Sequence, residues 1–369
     1  MSPDEIELLR DLTILIPTCN RPLKLERAIE YWRDLPVTLH VLDGSVEPAL
    51  KSGEIENCEG HIKYHSIPPL TNETFMENYA RRLVVGMNLI KTPVAALLAD
   101  DDYFLLPGLC KALKTLLNDS EVDAVIGKCA TYFFDKNKIT WQKKWTNWFN
   151  TDSLKDSSLS VRLNNDPGKY FIYYGVLRSE KLKLIHNRAN EYVFSDFRIN
   201  ELVTHHLGLA CCRVELIEEY LWAREKPIQK NSAYDPKIRV ENAGDESILE
   251  EIFVKTFSEL DNSVSPEEYK LWANQKVQLI NDRLRRDGDR QSRAEEFSYA
   301  IYLKNFIKRY IMYSLIKIPE RVRGRFFIFL PHKMRNAIEI ASPPDSSVTS
   351  ALENFLLAPR EELRLRANI

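Results

Sequence analysis

Residues 94–104 read Val-Ala-Ala-Leu-Leu-Ala-Asp-Asp-Asp-Tyr-Phe, and the character of the whole chain turns on them. Six small or apolar residues without a charge predict a strand buried on both faces that runs into Asp100, Asp101 and Asp102. Three adjacent carboxylates repel one another. In open α/β sheets ligands bind beyond the carboxyl ends of the strands, so a self-repelling cluster there suits a hard cation, Mg²⁺ or Mn²⁺, carrying phosphate. The competing reading is a solvated turn in which Asp101 or Asp102 caps a helix starting near Pro107.

Upstream, Leu12-Thr-Ile-Leu-Ile16 predicts a buried strand stopped by Pro17, and Pro22 suits the first turn of a helix bearing Leu25, Ile29 and Trp32. Pro36 ends that helix. Val37–Leu42 predicts a second strand ending at Asp43-Gly44-Ser45, and His61–Ile67 a third. Thr74 and Glu77 fit a capping box, with Phe75, Tyr79, Leu83, Met87 and Ile90 along one helical face up to Pro93. A helix over 107–117 and a strand over 122–126 complete an α/β unit of about 130 residues whose polar loops follow strands. The expected fold class is a Rossmann-like mixed sheet flanked by helices.

Composition narrows the rest. A chain of 369 residues, 44% hydrophobic and 28% charged, has room for one large domain and a smaller one, and a net charge of -2 argues against a nucleic-acid binder. No uncharged apolar run reaches the roughly 18 residues of a membrane span, and Met1–Leu12 is too acidic for a signal peptide, so a cytoplasmic protein is expected. Cys19, Cys58, Cys110, Cys129, Cys211 and Cys212 form no C-x-x-C pair and read as reduced, mostly buried thiols.

Leu12-Thr-Ile-Leu-Ile-Pro-Thr-Cys-Asn-Arg21, Val-Leu-Asp-Gly-Ser45, Tyr-Ala-Arg-Arg82 and Leu-Leu-Ala-Asp-Asp-Asp102 follow in this order over residues 12–104. Together they resemble the family-two-type inverting glycosyltransferases of the GT-A fold. The resemblance implies an Asp-x-Asp-type metal motif, with Asp102 on Mn²⁺ or Mg²⁺ and Asp100 or Asp101 towards the ribose or metal-bound water; Asp100 is the second metal candidate. It implies that Asp43 contacts the base, that Pro17, Thr18, Asn20 and Arg21 line the nucleotide pocket, and that Arg81 reaches a phosphate; Arg82 stands on the same helix and is the other arginine read as able to reach one, against a solvated helix face for the pair. Relatives often carry two adjacent aspartates before Gly-Ser; Leu42 stands at the first place here.

An inverting transferase needs a base for the acceptor hydroxyl. Tyr170–Arg178 reads as a strand and Glu191–Val203 as the opening of a helix continuing to Gly208, which resembles the family's second half and makes Asp196 the base candidate, with Glu191 and Glu201 in reserve. An Asp there is equally a helix N-terminal partner. His205-His206 reads as a helix-surface pair, since no third ligand stands at a recognisable spacing. Between the halves, Tyr132, Phe133, Phe134, Trp141, Trp145, Trp148 and Phe149 suit either strand packing or a sugar-stacking platform, and 152–167 reads as a mobile loop.

Leu209–Leu216 predicts a last strand leading to Tyr220–Glu225, where Arg224 either approaches the diphosphate or lies on the surface. The expected division is a GT-A domain over 1–226, with a nucleotide-sugar half (1–130) and an acceptor half (131–226), then a mostly helical region over 227–369. Helices are expected over 247–260, 266–286 and 294–318, broken at Gly288 and Pro319. Residues 301–335 carry nine basic residues against Glu320, interleaved with apolar ones, a pattern for peripheral contact with an anionic membrane or for packing on the catalytic domain or a homodimer partner. Ser342–Ser350 reads as a linker. The function implied is a metal-dependent, inverting glycosyltransferase moving a sugar from a nucleotide-diphosphate donor to a glycan or lipid-linked acceptor. Its rivals are a non-catalytic scaffold of the same fold and a sugar nucleotidyltransferase, which would carry a glycine-rich loop where Thr18–Pro22 has no glycine.

Overall fold

The computed structural model describes residues 2–50, 60–135, 138–144, 154–165, 172–194, 196–225, 243–262, 264–296 and 346–357. The strands are β1 (Leu12–Thr18), β2 (Thr38–Asp43), β3 (Ile62–Ser66), β4 (Val94–Leu97), β5 (Asp102–Phe104), β6 (Ala124–Asp135), β7 (Lys138–Lys144), β8 (Val176–Arg178) and β9 (Val214–Glu225). They form one mixed sheet in the order β3-β2-β1-β4-β8-β6-β9-β5, with β7 on β6. The helices are α1 (Pro3–Leu8), α2 (Pro22–Trp32), α3 (Phe75–Leu89), α4 (Leu106–Asn118), α5 (Leu159–Asn164), α6 (Ser179–Ala189), α7 (Phe197–Cys211), α8 (Ala243–Leu260), α9 (Pro266–Glu296) and α10 (Ser346–Leu357). This is the α/β architecture expected from the strand and helix order.

The first half follows from local rules. β1, β2, β3 and β4 are parallel neighbours, and Leu12, Ile14, Ile16, Leu39, Val41, Val94 and Ala96 have no exposed surface. Burying each large aliphatic side chain contributes roughly 1.5–3 kcal/mol. Thr74 and Glu77 form the capping box of α3, with both reciprocal bonds present. Tyr79, Leu83, Met87 and Ile90 are buried, but Phe75 is exposed, because it precedes the part of α3 that lies on the sheet. β1 runs on through Pro17 to Thr18 instead of stopping at Ile16. Pairing with β4 ends at Leu15, so proline's missing N–H removes no bond from that ladder.

The aspartate stretch is not one strand. β4 ends at Leu97, the chain turns through 98–101, and Asp102–Phe104 form a separate short strand antiparallel to β9. The capping alternative also fails: α4 starts after Leu105, with no side-chain cap.

Further on, local patterns mislead. Ile172–Tyr174 is a 3₁₀ turn, only Val176–Arg178 is strand, and α6 follows it. α7 continues to Cys211, and the last strand is the twelve-residue β9. The 152–167 stretch contains α5, whose buried Arg162 donates to Leu209 O (3.1 Å) and Ala210 O (2.7 Å) at the end of α7. His205 and His206 are fully buried, not on the surface.

Leu249, Phe253 and Phe257 of α8 and Trp272 and Ile280 of α9 belong to the main core, and Lys276 donates to Leu163 O (2.6 Å). α9 passes through Gly288 without a break. The helix from Ser346 replaces the second half of the expected linker; its Leu352 and Leu356 join Tyr103, Tyr132, Ile139, Trp141 and Ala223 in a second cluster, so Tyr132 and Trp141 are packing residues. Cys110, Cys129, Cys211 and Cys212 are buried free thiols and Cys19 a half-buried one. Cys58, Trp145, Trp148, Phe149 and the basic 301–335 stretch lie outside the described residues. Among those described, no helix is long and apolar enough to cross a membrane.

Candidate functional site

Three loops meet beyond the carboxyl ends of β1, β2 and β4. Parallel register sets Thr18 beside Asp43, and Leu98 N donates to Leu15 O (3.0 Å), drawing the aspartate turn against β1. The first loop turns at Asn20, whose φ of 55° suits a residue that tolerates the left-handed region. Its N–H donates to Ser45 Oγ (2.7 Å) in the second loop. Thr18 Oγ1 donates to Asp100 Oδ2 (2.7 Å) in the third. Pro22 then starts α2, and its first turn aims two cations at the aspartates. Arg21 donates to both Asp100 and Asp101, and Lys24 Nζ donates to Asp101 Oδ2 (2.6 Å). Lys24 also lies 3.9 Å from Glu225, which pairs with Arg27.

The three carboxylates have different electrostatics. Burial raises Asp100 to about 6 against the pull of Arg21. Burial also works to raise Asp101, but Arg21 and Lys24 overcome it and hold the group below the usual carboxylate range. Asp102 is pushed well above that range, first by burial and then by the charge of Asp101, with Arg224 acting the other way.

Asp43 is fully buried, and its oxygens accept from Ser45 N (2.9 Å), Ser45 Oγ (2.6 Å), Ala49 N (2.7 Å) and the Tyr64 hydroxyl. A carboxylate has about four lone-pair sites, so this set occupies Asp43 in shaping the 43–49 turn instead of presenting it to a base. Arg81 points away from the crevice, donating to Glu73 and Pro68 O (2.7 Å each). Arg82 is the arginine at the strand ends: it is 1% exposed and donates to Thr18 O (2.7 Å) and Leu42 O (3.2 Å). Pro17 sits within β1, immediately before Thr18.

On the other side of Asp102, the Arg224 guanidinium lies 5.5 Å from the Tyr174 ring centre. Tyr174 stacks on Trp222 (4.2 Å) and donates its hydroxyl to Glu201 Oε1 (2.7 Å). Glu201 is 8% exposed and its charge reaches Asp102. Asp196 caps α7 through Arg198 N (2.6 Å) and pairs with the Arg198 side chain (2.8 Å). The next residue, Phe197, packs edge-on against Tyr79 (5.0 Å), setting the start of α7 beside α3. Glu191 pairs with Arg188 and Lys255 and takes no part in this cluster.

Thr18, Asn20, Arg21, Asp100, Asp101 and Asp102 are therefore brought together as expected from the sequence, whereas Asp43 and Arg81 are turned to structural duties. Sequence reasoning named Arg82 beside Arg81 and Glu201 as a reserve base, but missed Lys24 and the bond from Tyr174 to Glu201. Helical spacing held a signal for Lys24, which stands three residues from Arg21.

Among the described residues, no three His, Cys, Asp or Glu side chains converge to hold a metal. Asp102 is nevertheless a buried hard-oxygen donor with two further carboxylates beside it in sequence. That fits Mg²⁺ or Mn²⁺ bound in the manner of phosphate-carrying sites, through one or two carboxylates with the remaining positions left to substrate and water.

No family model matches the chain, and no curated protein matches it. Among solved structures it is similar to S. aureus TarS 1-349, at 13% identity over 95% of this chain and 91% of that one, with a TM-score of 0.45. It is similar to the same protein in complex with UDP at 12% identity over 95% and 91% of the two chains (TM-score 0.45). The complex with UDP-GlcNAc gives 14% identity over 96% and 88% (TM-score 0.42). TM-scores below 0.5 do not establish a shared fold, and the functional reading stands on the site itself.

Proposed function

We propose that this chain is a GT-A-type glycosyltransferase that moves a sugar, with inversion, from a nucleotide diphosphate to a hydroxyl of a glycan or lipid-linked acceptor. The observation that carries the reading is the meeting of the β1 and β4 loops, where Thr18, Arg21 and Lys24 hold Asp100 and Asp101 next to buried Asp102. Carboxylates and cations interleaved at parallel strand ends suit a metal-bound diphosphate. A divalent cation, when bound, supplies Lewis-acid charge against the leaving diphosphate. Asp102, with Asp100 behind it, is the assigned metal carboxylate; Arg21 and Arg82 flank the nucleotide; Asp196, at the start of α7, takes the acceptor proton. The basic 301–335 stretch is assigned to peripheral contact with an anionic membrane.

The test is calorimetric binding of UDP, GDP, dTDP and CMP, with and without Mn²⁺, to the wild type and to Asp102→Ala. Metal-dependent binding of one diphosphate, lost in the variant, is expected. A folded protein that binds none of them overturns the reading and favours a non-catalytic scaffold, which the fully satisfied Asp43 would also suit.

A further inference from the structure

The cations beside the aspartate triplet are built to change partners. Arg21 bridges Asp100 and Asp101, Lys24 spans Asp101 (2.6 Å) and Glu225 (3.9 Å), and Arg27 holds Glu225. Three cations thus face three carboxylates, and the network is neutral with no ligand charge added. Arg21 and Lys24 are 40% and 30% exposed, while Asp100 beneath them is 1% exposed. Both are long side chains rooted on the first turn of α2, whose start is fixed by Pro22, so their heads can swing while the backbone stays in place.

A divalent cation held by Asp102 and Asp100 adds two positive charges, competes with Arg21 for Asp100 and repels Lys24 on the adjacent Asp101. A nucleotide diphosphate supplies the missing negative charge at the same place. Resting on the glycosyltransferase reading above, the geometry points to an exchange: a divalent cation on Asp102 and Asp100 displaces Arg21 from Asp100 and drives Lys24 off neighbouring Asp101 by charge repulsion, and the two released side chains grip the diphosphate. Arg21 and Lys24 therefore oppose binding of the metal alone and favour binding of the diphosphate to the metal-loaded protein. Guanidinium and ammonium groups both make charge-assisted bonds to phosphate as well as to carboxylate, so the exchange preserves bond type.

The experiment uses the full chain as wild type, Arg21→Met and Lys24→Met, each checked for an unchanged circular dichroism spectrum. Mn²⁺ alone is titrated first, by the loss of its free electron paramagnetic resonance signal; UDP, GDP and dTDP are then titrated at saturating Mn²⁺. The two affinities should move in opposite directions in each variant: about tenfold tighter for Mn²⁺ alone, about tenfold weaker for the diphosphate. If both weaken together, the side chains are only structural and the exchange is wrong; if the diphosphate affinity is unmoved, it is wrong as well. A wild type that binds none of the three diphosphates sinks the transferase reading itself, a different result from either of these.

Discussion

Asp102 on β5 stands directly opposite Arg224 on β9 in an antiparallel ladder. Opposed residues in such a pair project from the same face, so backbone register alone sets this carboxylate beside this guanidinium. Arg224→Ala leaves Asp102 buried among the charges of Asp101, Asp100 and Glu201. We expect a loss of no more than about 1 kcal/mol in chemical denaturation, because Arg224 is part-exposed and solvent screens its charge. Arg224→Lys should recover only part of it, since an ammonium lacks the planar fork.

Asp196 combines a helix cap with the proposed proton transfer, and one substitution separates the two. Asparagine caps as well as aspartate but accepts no proton. Asp196→Asn also removes the carboxylate that the buried Arg198 side chain binds, so it should lower the melting temperature while donor affinity is kept and kcat falls by about 10²–10⁴. Glu201→Gln is the control. If it shows that loss while Asp196→Asn keeps full turnover, the base is Glu201.

Gly44 follows the second strand, and the crevice is packed tightly around it. A Cβ there would lie 2.4 Å from Asn78 Oδ1 and 2.6 Å from Arg82 Nε. Neither can yield freely, because Asn78 donates to Ile67 O and Arg82 is bonded to two carbonyls. Gly44→Ala should displace Arg82 and weaken nucleotide-diphosphate binding about tenfold in calorimetry, with a smaller effect on the melt.

His186 is fully buried, and burial holds it down at about 4. A histidine with a folded-state pKa below its unfolded value of about 6.5 leaves stability intact above that pH and erodes it as pH falls towards 4, because the unfolded chain takes up the proton first. The full shift corresponds to about 3 kcal/mol. Denaturation midpoints measured from pH 7.5 to 4.5 should fall, and His186→Leu should flatten that slope.

How far the chain could be read beforehand depended on how local the deciding contacts are. β1 and β4 announced themselves as apolar runs, β2 and β3 as shorter β-rich stretches between turn signals, and the Thr74–Glu77 box marked the start of α3 with two residues three apart. The loops that carry Asn20, Asp43 and Asp100 followed from those strands. β5 and β9 did not, because their pairing joins Phe104 to Trp222 and no short window contains both. Ile172–Tyr174 has the aromatic content of a strand but turns as a 3₁₀ segment. The duties of Asp43 and Arg81 were hidden because their partners come from elsewhere in the chain: Tyr64 is placed by the pairing of β3 with β2, and Glu73 by the loop before α3.

The ring of Phe355 packs on Tyr31 (5.3 Å) and Tyr103 (6.3 Å), and Tyr31 donates to Phe104 O (2.7 Å). The strand that carries Asp102 is thus clamped between α2 and a helix synthesised long after it. Contacts this distant in sequence are slow to close, since the loop entropy falls due before the contact rewards it. On the ribosome the sheet around β1 can assemble while β5 still lacks its outer cover. A chain that stops before α10 would leave Tyr31 and Tyr103 without the Phe355 ring, and Tyr103 is right beside Asp102 in the same short strand.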